Sequence, residues 1–134
     1  MKSKKREVER FLTELRAILE DENFNESTDL TLIRSKKKEK EKFSTVYTLL
    51  DLDYDAEDVV DRLKELTVEE YSETLFDKND VNPLLLFVFG KDINRKQVYI
   101  KLKIKGDQKR HVLCMSFHFA EYQMLLPYAN NQEG

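Results

Sequence analysis

Tryptophan is absent, cysteine occurs once, and the chain has only three glycines and two prolines among 134 residues. Each scarcity excludes something. A single Cys114 cannot form an intramolecular disulfide or a multi-cysteine zinc site. Three glycines, with Gly90 and Gly106 far apart, exclude a glycine-rich phosphate loop. No apolar run reaches the roughly 18–20 residues of a membrane span. The basic N-terminus is not followed by an apolar stretch, so no signal peptide is read and the expected location is cytoplasmic. Two separated histidines, His111 and His118, do not make a metal site, and neither a metal nor another cofactor is expected. The acidic residues of 51–80 have the spacing of a helix face, not of a calcium loop.

What the chain does have is charge, aromatics and one domain's worth of length. Charged residues make up 37% and hydrophobic residues 40%, with 8 Phe and 6 Tyr, which argues against a wholly disordered chain. A chain of this size buries about two-thirds of the surface its unfolded form exposes. The formal net charge of −3 averages over blocks of opposite sign. Residues 1–16 hold six basic and three acidic residues (+3), and 34–42 hold six and two (+4). Residues 51–80 hold three and twelve (−9), and 91–111 hold eight and two (+6). A basic face for nucleic acid therefore remains open alongside ordinary solvated faces.

Apolar spacing gives the coarse organisation. Val8, Phe11, Leu12, Leu15, Ile18 and Leu19 recur at threes and fours, which predicts an amphipathic helix with a core-facing stripe. Turn formers in DENFNEST end it. Leu30–Arg34 is a short β-rich segment, a candidate edge strand, and KKKEKEK reads as an exposed loop or a helix start. Helical spacing resumes from Phe43 to Leu50. Asp55 with Asp58 forms a capping-box pattern before the stripe Val59, Val60, Leu63 and Leu66. A second box, Thr67 with Glu70, opens a short turn through Tyr71.

After Asn82-Pro83 the period becomes two. Leu84–Phe89 is a continuous apolar run, and Ile93–Lys96 a hairpin connection. Val98–Lys105 alternates, with Val98, Ile100, Leu102 and Ile104 on one face and Tyr99, Lys101, Lys103 and Lys105 on the other. Gly106-Asp107 turns the chain into a third strand, Val112–Phe117. There alternation puts Leu113, Met115 and Phe117 on the core face, and Val112, Cys114, Ser116 and His118 opposite. Helices followed by strands predict one α+β domain over 1–134, with helices packed on one face of an antiparallel sheet. Its parts are 1–42 (helix, edge strand, basic loop), 43–80 (acidic and helical), 84–118 (β-meander) and 119–134 (tail). The acidic block is expected in the helical layer, away from the open face.

Antiparallel pairing sets Tyr99 beside His118, with Lys101 and Ser116 on the same face. This set suits phosphodiester cleavage without a metal. A histidine can accept the ribose 2′-OH proton or protonate the leaving 5′-oxygen at neutral pH. Lysines at 101 and 103 can stabilise developing phosphate charge, and Tyr99 can contact the phosphate or stack on a base. DNA lacks the 2′-OH, so such chemistry selects RNA. An ordinary solvated sheet face has the same residue types. His111 reads as a surface residue, and Cys114 as a buried or half-buried thiol.

Several segments in order carry a resemblance to a known family. They are Phe87–Lys91 (FVFGK), Val98–Lys103 (VYIKLK), Cys114–Tyr122 (CMSFHFAEY) and Pro127-Tyr128, with Thr48–Leu52, Glu57-Asp58 and Leu66–Tyr71 upstream. Over roughly 43–128 the chain resembles the MqsR-family toxins of type II toxin–antitoxin systems. The resemblance implies a RelE-like two-layer fold and a metal-independent endoribonuclease acting on mRNA, neutralised by a cognate antitoxin protein. It implies catalytic roles for Tyr99, Lys101 and His118. RNA contacts are expected from Lys91, Lys103, Lys105 and Tyr122. Glu121 and Tyr122 match a C-terminal H-x-x-E-Y pattern. Val88 stands where the better-known branch has Gln, Ser72 where it has Lys, and Phe119 where Pro is usual. These departures leave a second reading, a catalytically inactive module of the same fold that binds RNA or an antitoxin-like protein.

Overall fold

The computed structural model describes residues 1–34, 38–77, 85–106 and 108–129, with 38–40 as backbone only. Helix α1 (Lys5–Leu19) is followed by a single helical turn, α2 (Glu26–Asp29), and strand β1 (Leu30–Leu32). A 3-10 segment (Lys38–Phe43) leads into α3 (Thr45–Leu52) and α4 (Ala56–Lys64). A 3-10 turn (Val68–Glu70) then opens β2 (Tyr71–Phe76), β3 (Leu85–Ile93), β4 (Lys96–Lys105) and β5 (His111–Phe119). The architecture is α+β: helices from the first half cover one face of a five-stranded sheet ordered β1-β5-β4-β3-β2. Strands β2 to β5 form an antiparallel meander, and only β1 pairs in parallel, with β5.

The local signals work as their chemistry dictates. The Asp55 carboxylate accepts from Asp58 N–H and the Asp58 carboxylate from Asp55 N–H, both at 3.0 Å. The Asp58 N–H bond, the largest cause, holds the Asp55 carboxyl below its ordinary range. Glu70 closes the second box on Thr67 N–H at 3.0 Å. The Ile93–Lys96 connection is a two-residue turn with positive φ at Asn94 (51°) and Arg95 (67°), which fits the right-handed twist of the hairpin. Gly106 turns at φ 90°; its partner in the expected turn, Asp107, lies outside the described residues. So do Asn82-Pro83 and Leu84, Lys36 and Lys37 of the basic run, and 130–134 of the tail.

The apolar stripe of α1 packs onto β3, where the Phe11 ring stacks on Phe87 with centroids 4.1 Å apart. Val59, Val60 and Leu63 of α4, and Leu66 just beyond it, complete that layer. α3 lies along β5, where its threonines close the backbone beyond the short β1. Thr45 Oγ1 accepts from Phe117 N–H at 3.2 Å and Thr48 Oγ1 from Phe119 N–H at 2.8 Å.

Two departures from simple alternation position the rest. First, residues 71–76, inside the segment expected to be helical, form the edge strand β2. Its register slips between Tyr71 and Glu73, so Ser72 is an extra residue opposite β3. Second, β5 carries a bulge. Ile100 pairs with Phe117 and Lys101 with Ser116, but Leu102 pairs with Cys114. The extra residue inverts the phase of the strand's first half. Val112 and Cys114 are therefore fully buried in the core, while Leu113 and Met115, expected there, are only half-buried. His118 lies beyond the bulge and keeps its expected side.

Candidate functional site

The sheet face away from the helices is crossed by the chain's last described segment. Ala120 N–H donates to Gln97 O, and Met124 N–H to Gln97 Oε1, both at 2.8 Å. Ser72 Oγ donates to Leu125 O at 2.8 Å. The Tyr128 ring stacks on Tyr71 at 5.7 Å, and its hydroxyl donates to Ser3 O at 2.6 Å. Residues 120–128 thus run as a strap from the end of β5, over β4 and β3, to the β2 edge. Gly90 permits the crossing, because a Cβ there would stand 2.9 Å from Met124 Sδ.

Strap and sheet enclose a cleft of about 480 Å³ lined by Ser72, Glu73, Tyr99, His118 and strap residues 120–125. At its floor Tyr99 and His118 are register partners, and their rings stack with centroids 5.0 Å apart and planes 11° from parallel. His118 Nδ1 lies 3.0 Å from Phe119 O. A carbonyl only accepts, so Nδ1 carries the hydrogen and Nε2 is the basic nitrogen of the neutral ring. Burial, reinforced by the nearby Glu73 charge, pushes the Tyr99 phenol above its ordinary value, so its hydroxyl stays a donor. Lys101 is half-buried on the same face, between Val88 and Ser116 in register.

The other expected contacts separate. Tyr122 lines the cleft and is 77% exposed. Glu121 lines it from the strap. Lys105 is exposed on this face but six residues from Tyr99 along β4, about 20 Å at the rise of a strand. Lys103 shares the face but is only 2% exposed, with its ammonium 2.5 Å from Asp77 Oδ2. An ion pair at that depth exists because the low-dielectric site admits the charge only with a partner. Lys91 lies on the helix-covered side, held by Glu70 at 3.2 Å and Glu65 at 3.6 Å. Lys91 and Lys103 therefore do not join the cleft.

The acidic block is not confined to the helical layer. Glu65 and Glu70 lie there, but Glu73 reaches the cleft and Asp77 the buried pair on the open face. Ser72 enters the sequence reading only as a departure from the family pattern, and Glu73 not at all, because β2 follows a capping box and has no alternation of its own; the β-prone residues of YSETLF are the signal for it. His111 binds Thr31 Oγ1 through Nε2 at 2.7 Å, tying β1 to β5, and has no place in the cleft. Among the described residues no cluster of three His, Cys, Asp or Glu is placed to hold a metal ion, and no helix is long and apolar enough to cross a membrane. No protein-family model matches the chain, and no curated protein or solved structure matches it either.

Proposed function

We propose that the protein is a metal-independent endoribonuclease cutting mRNA in the cytoplasm, the toxin of a toxin–antitoxin pair held in check by a cognate antitoxin protein. The observation that carries this reading is the Tyr99–His118 stack at the floor of the strap cleft, with Lys101 beside it. His118 is the proton-transfer group. Imidazole is the side chain suited to both accepting and giving a proton at neutral pH. Tyr99, kept protonated by its surroundings, donates to a non-bridging phosphate oxygen. Lys101 supplies positive charge to the phosphate as it gains negative charge. Tyr122, exposed at the cleft's rim, offers a face on which a base can stack. The resemblance over 43–128 supports the same assignment of Tyr99, Lys101 and His118.

One observation favours the alternative of a non-cutting module that binds RNA or a protein. Two of the lysines expected to hold phosphate, Lys91 and Lys103, are instead engaged by Glu65, Glu70 and Asp77. Induced expression separates the two. Wild type is expected to arrest growth and fragment mRNA, while His118→Ala and Tyr99→Phe do neither. Normal growth with intact mRNA on wild-type expression contradicts the nuclease reading. Arrest without RNA fragmentation supports the module.

A further inference from the structure

Metal-free cleavage at a 2′-hydroxyl needs two proton-transfer groups, one on each side of the phosphorus, and the resemblance supplies one histidine. We infer that Glu73 is the second: a catalytic residue whose carboxylate takes the 2′-hydroxyl proton while His118 protonates the departing 5′-oxygen. The inference rests on the ribonuclease reading above.

Glu73 projects from β2 immediately after the Ser72 bulge, is exposed, and lines the same cleft as Tyr99 and His118. The bulge matters, because the extra residue sets which side chain of β2 faces the cleft. Tyr99 lies between the two groups. Its ring stacks on His118, and its hydroxyl is close enough to Glu73 to feel that charge. Across the sheet the order is Glu73 on β2, Tyr99 on β4 and His118 on β5, so the phosphate donor stands between the base and the acid along one cleft. Strand β3 interposes only Val88 and Gly90 between Glu73 and the β4 residues, leaving the space above the floor to substrate and strap. The other ionisable groups lining this space are Glu121 and Tyr122 from the strap; Lys101 lies on the same sheet face, two residues along β4 from Tyr99, outside the lining.

The step balances within the substrate. The O2′–H proton passes to Glu73, and O2′ bonds to phosphorus as the P–O5′ bond breaks. The departing O5′ takes the proton of the His118 imidazolium. The products are a 2′,3′-cyclic phosphate and a 5′-hydroxyl, with no oxidant, reductant or water consumed. A base that must be ionised and an acid that must be protonated together give a rate that first rises and then falls with pH.

The test is the pH–rate profile of the purified protein on a short single-stranded RNA, for wild type, Glu73→Gln, Glu73→Asp, Glu121→Gln and His118→Ala. The expected result is a bell for wild type. Glu73→Gln should lose about 100-fold or more at neutral pH, together with the acidic limb. Glu73→Asp should regain part of the rate with the limb restored, at unchanged thermal stability. Wild-type rate and profile in Glu73→Gln, or loss of the acidic limb in Glu121→Gln instead, overturns the inference while His118→Ala still reports on the nuclease. No cleavage by wild type at any pH overturns the ribonuclease reading itself.

Discussion

The two faces of the sheet are built by different rules. The helix-covered face is apolar and regular: Phe11, Leu12 and Leu15 of α1 and Val59 and Leu63 of α4 meet Phe87, Phe89, Ile100 and Phe117. The strap-crossed face is organised by exceptions: a bulge at Ser72, a bulge in β5, a glycine beneath Met124 and a buried Lys103–Asp77 pair. Burial of regular stripes holds the fold together. Regular alternation sets Tyr99 beside His118, and the Ser72 bulge and the strap add Glu73 and a wall, which makes a cleft of an otherwise flat surface. Stability and the proposed chemistry are thereby divided between the faces, and substitutions on each should separate them.

The largest effect is expected on the regular face. Phe11→Ala removes a ring stacked on Phe87 and should destabilise by about 3–5 kcal/mol in denaturant titration. A loss under ~1 kcal/mol would break the division. Next is Asp77→Ala, which leaves the Lys103 ammonium buried without this carboxylate and should destabilise by about 3 kcal/mol. Asp77→Leu with Lys103→Met should recover most of that loss, showing that the pair is a condition of burial and not a source of net stability. Smaller again is Gly90→Ala. The new methyl meets the flexible end of Met124, so a loss of about 1–2 kcal/mol is expected, with the strap lifted and the cleft altered.

The most delicate prediction concerns the β5 bulge. Burial pushes the Cys114 thiol up to about 12, against an ordinary value of 9.0. Native protein at pH 8 should therefore resist alkylation until it unfolds. The unfolded chain releases the thiol proton near its ordinary value and the folded chain does not. The folded state thus binds more protons through this window, and stability should fall as pH rises from about 9 toward 12. Cys114→Ala should flatten that slope. Rapid labelling of native protein would place Cys114 on the open face, as unbroken alternation demands, and remove the bulge.

The contrast between faces also explains what the sequence makes legible. The α1 stripe, the Asp55 and Thr67 boxes, the β1 edge strand and the Asn94-Arg95 turn are written in residues within a few positions of one another, and the structure has all of them. Tyr99 and His118 are adjacent because both lie on one side of the β5 bulge, where alternation holds. The core side taken by Cys114, the half-buried Met115, the strand at 71–76 and the burial of Lys103 depend on partners far along the chain. No period within their own segments encodes them. The strap is illegible for the same reason: 120–128 has no repeat, and its course is set by Gln97, Ser72, Gly90 and Tyr71.

In the proposed function the strap face cuts RNA by attack of the RNA's own 2′-hydroxyl. The direct measurement incubates purified protein, in the presence of a chelator, with single-stranded RNA and with the same strand made entirely of deoxyribose, and identifies the product ends. The expected result is cleavage of the RNA alone, leaving a 2′,3′-cyclic phosphate and a 5′-hydroxyl, and no cleavage by His118→Ala. Cleavage of the deoxy strand, 5′-phosphate ends, or equal activity in His118→Ala contradicts it.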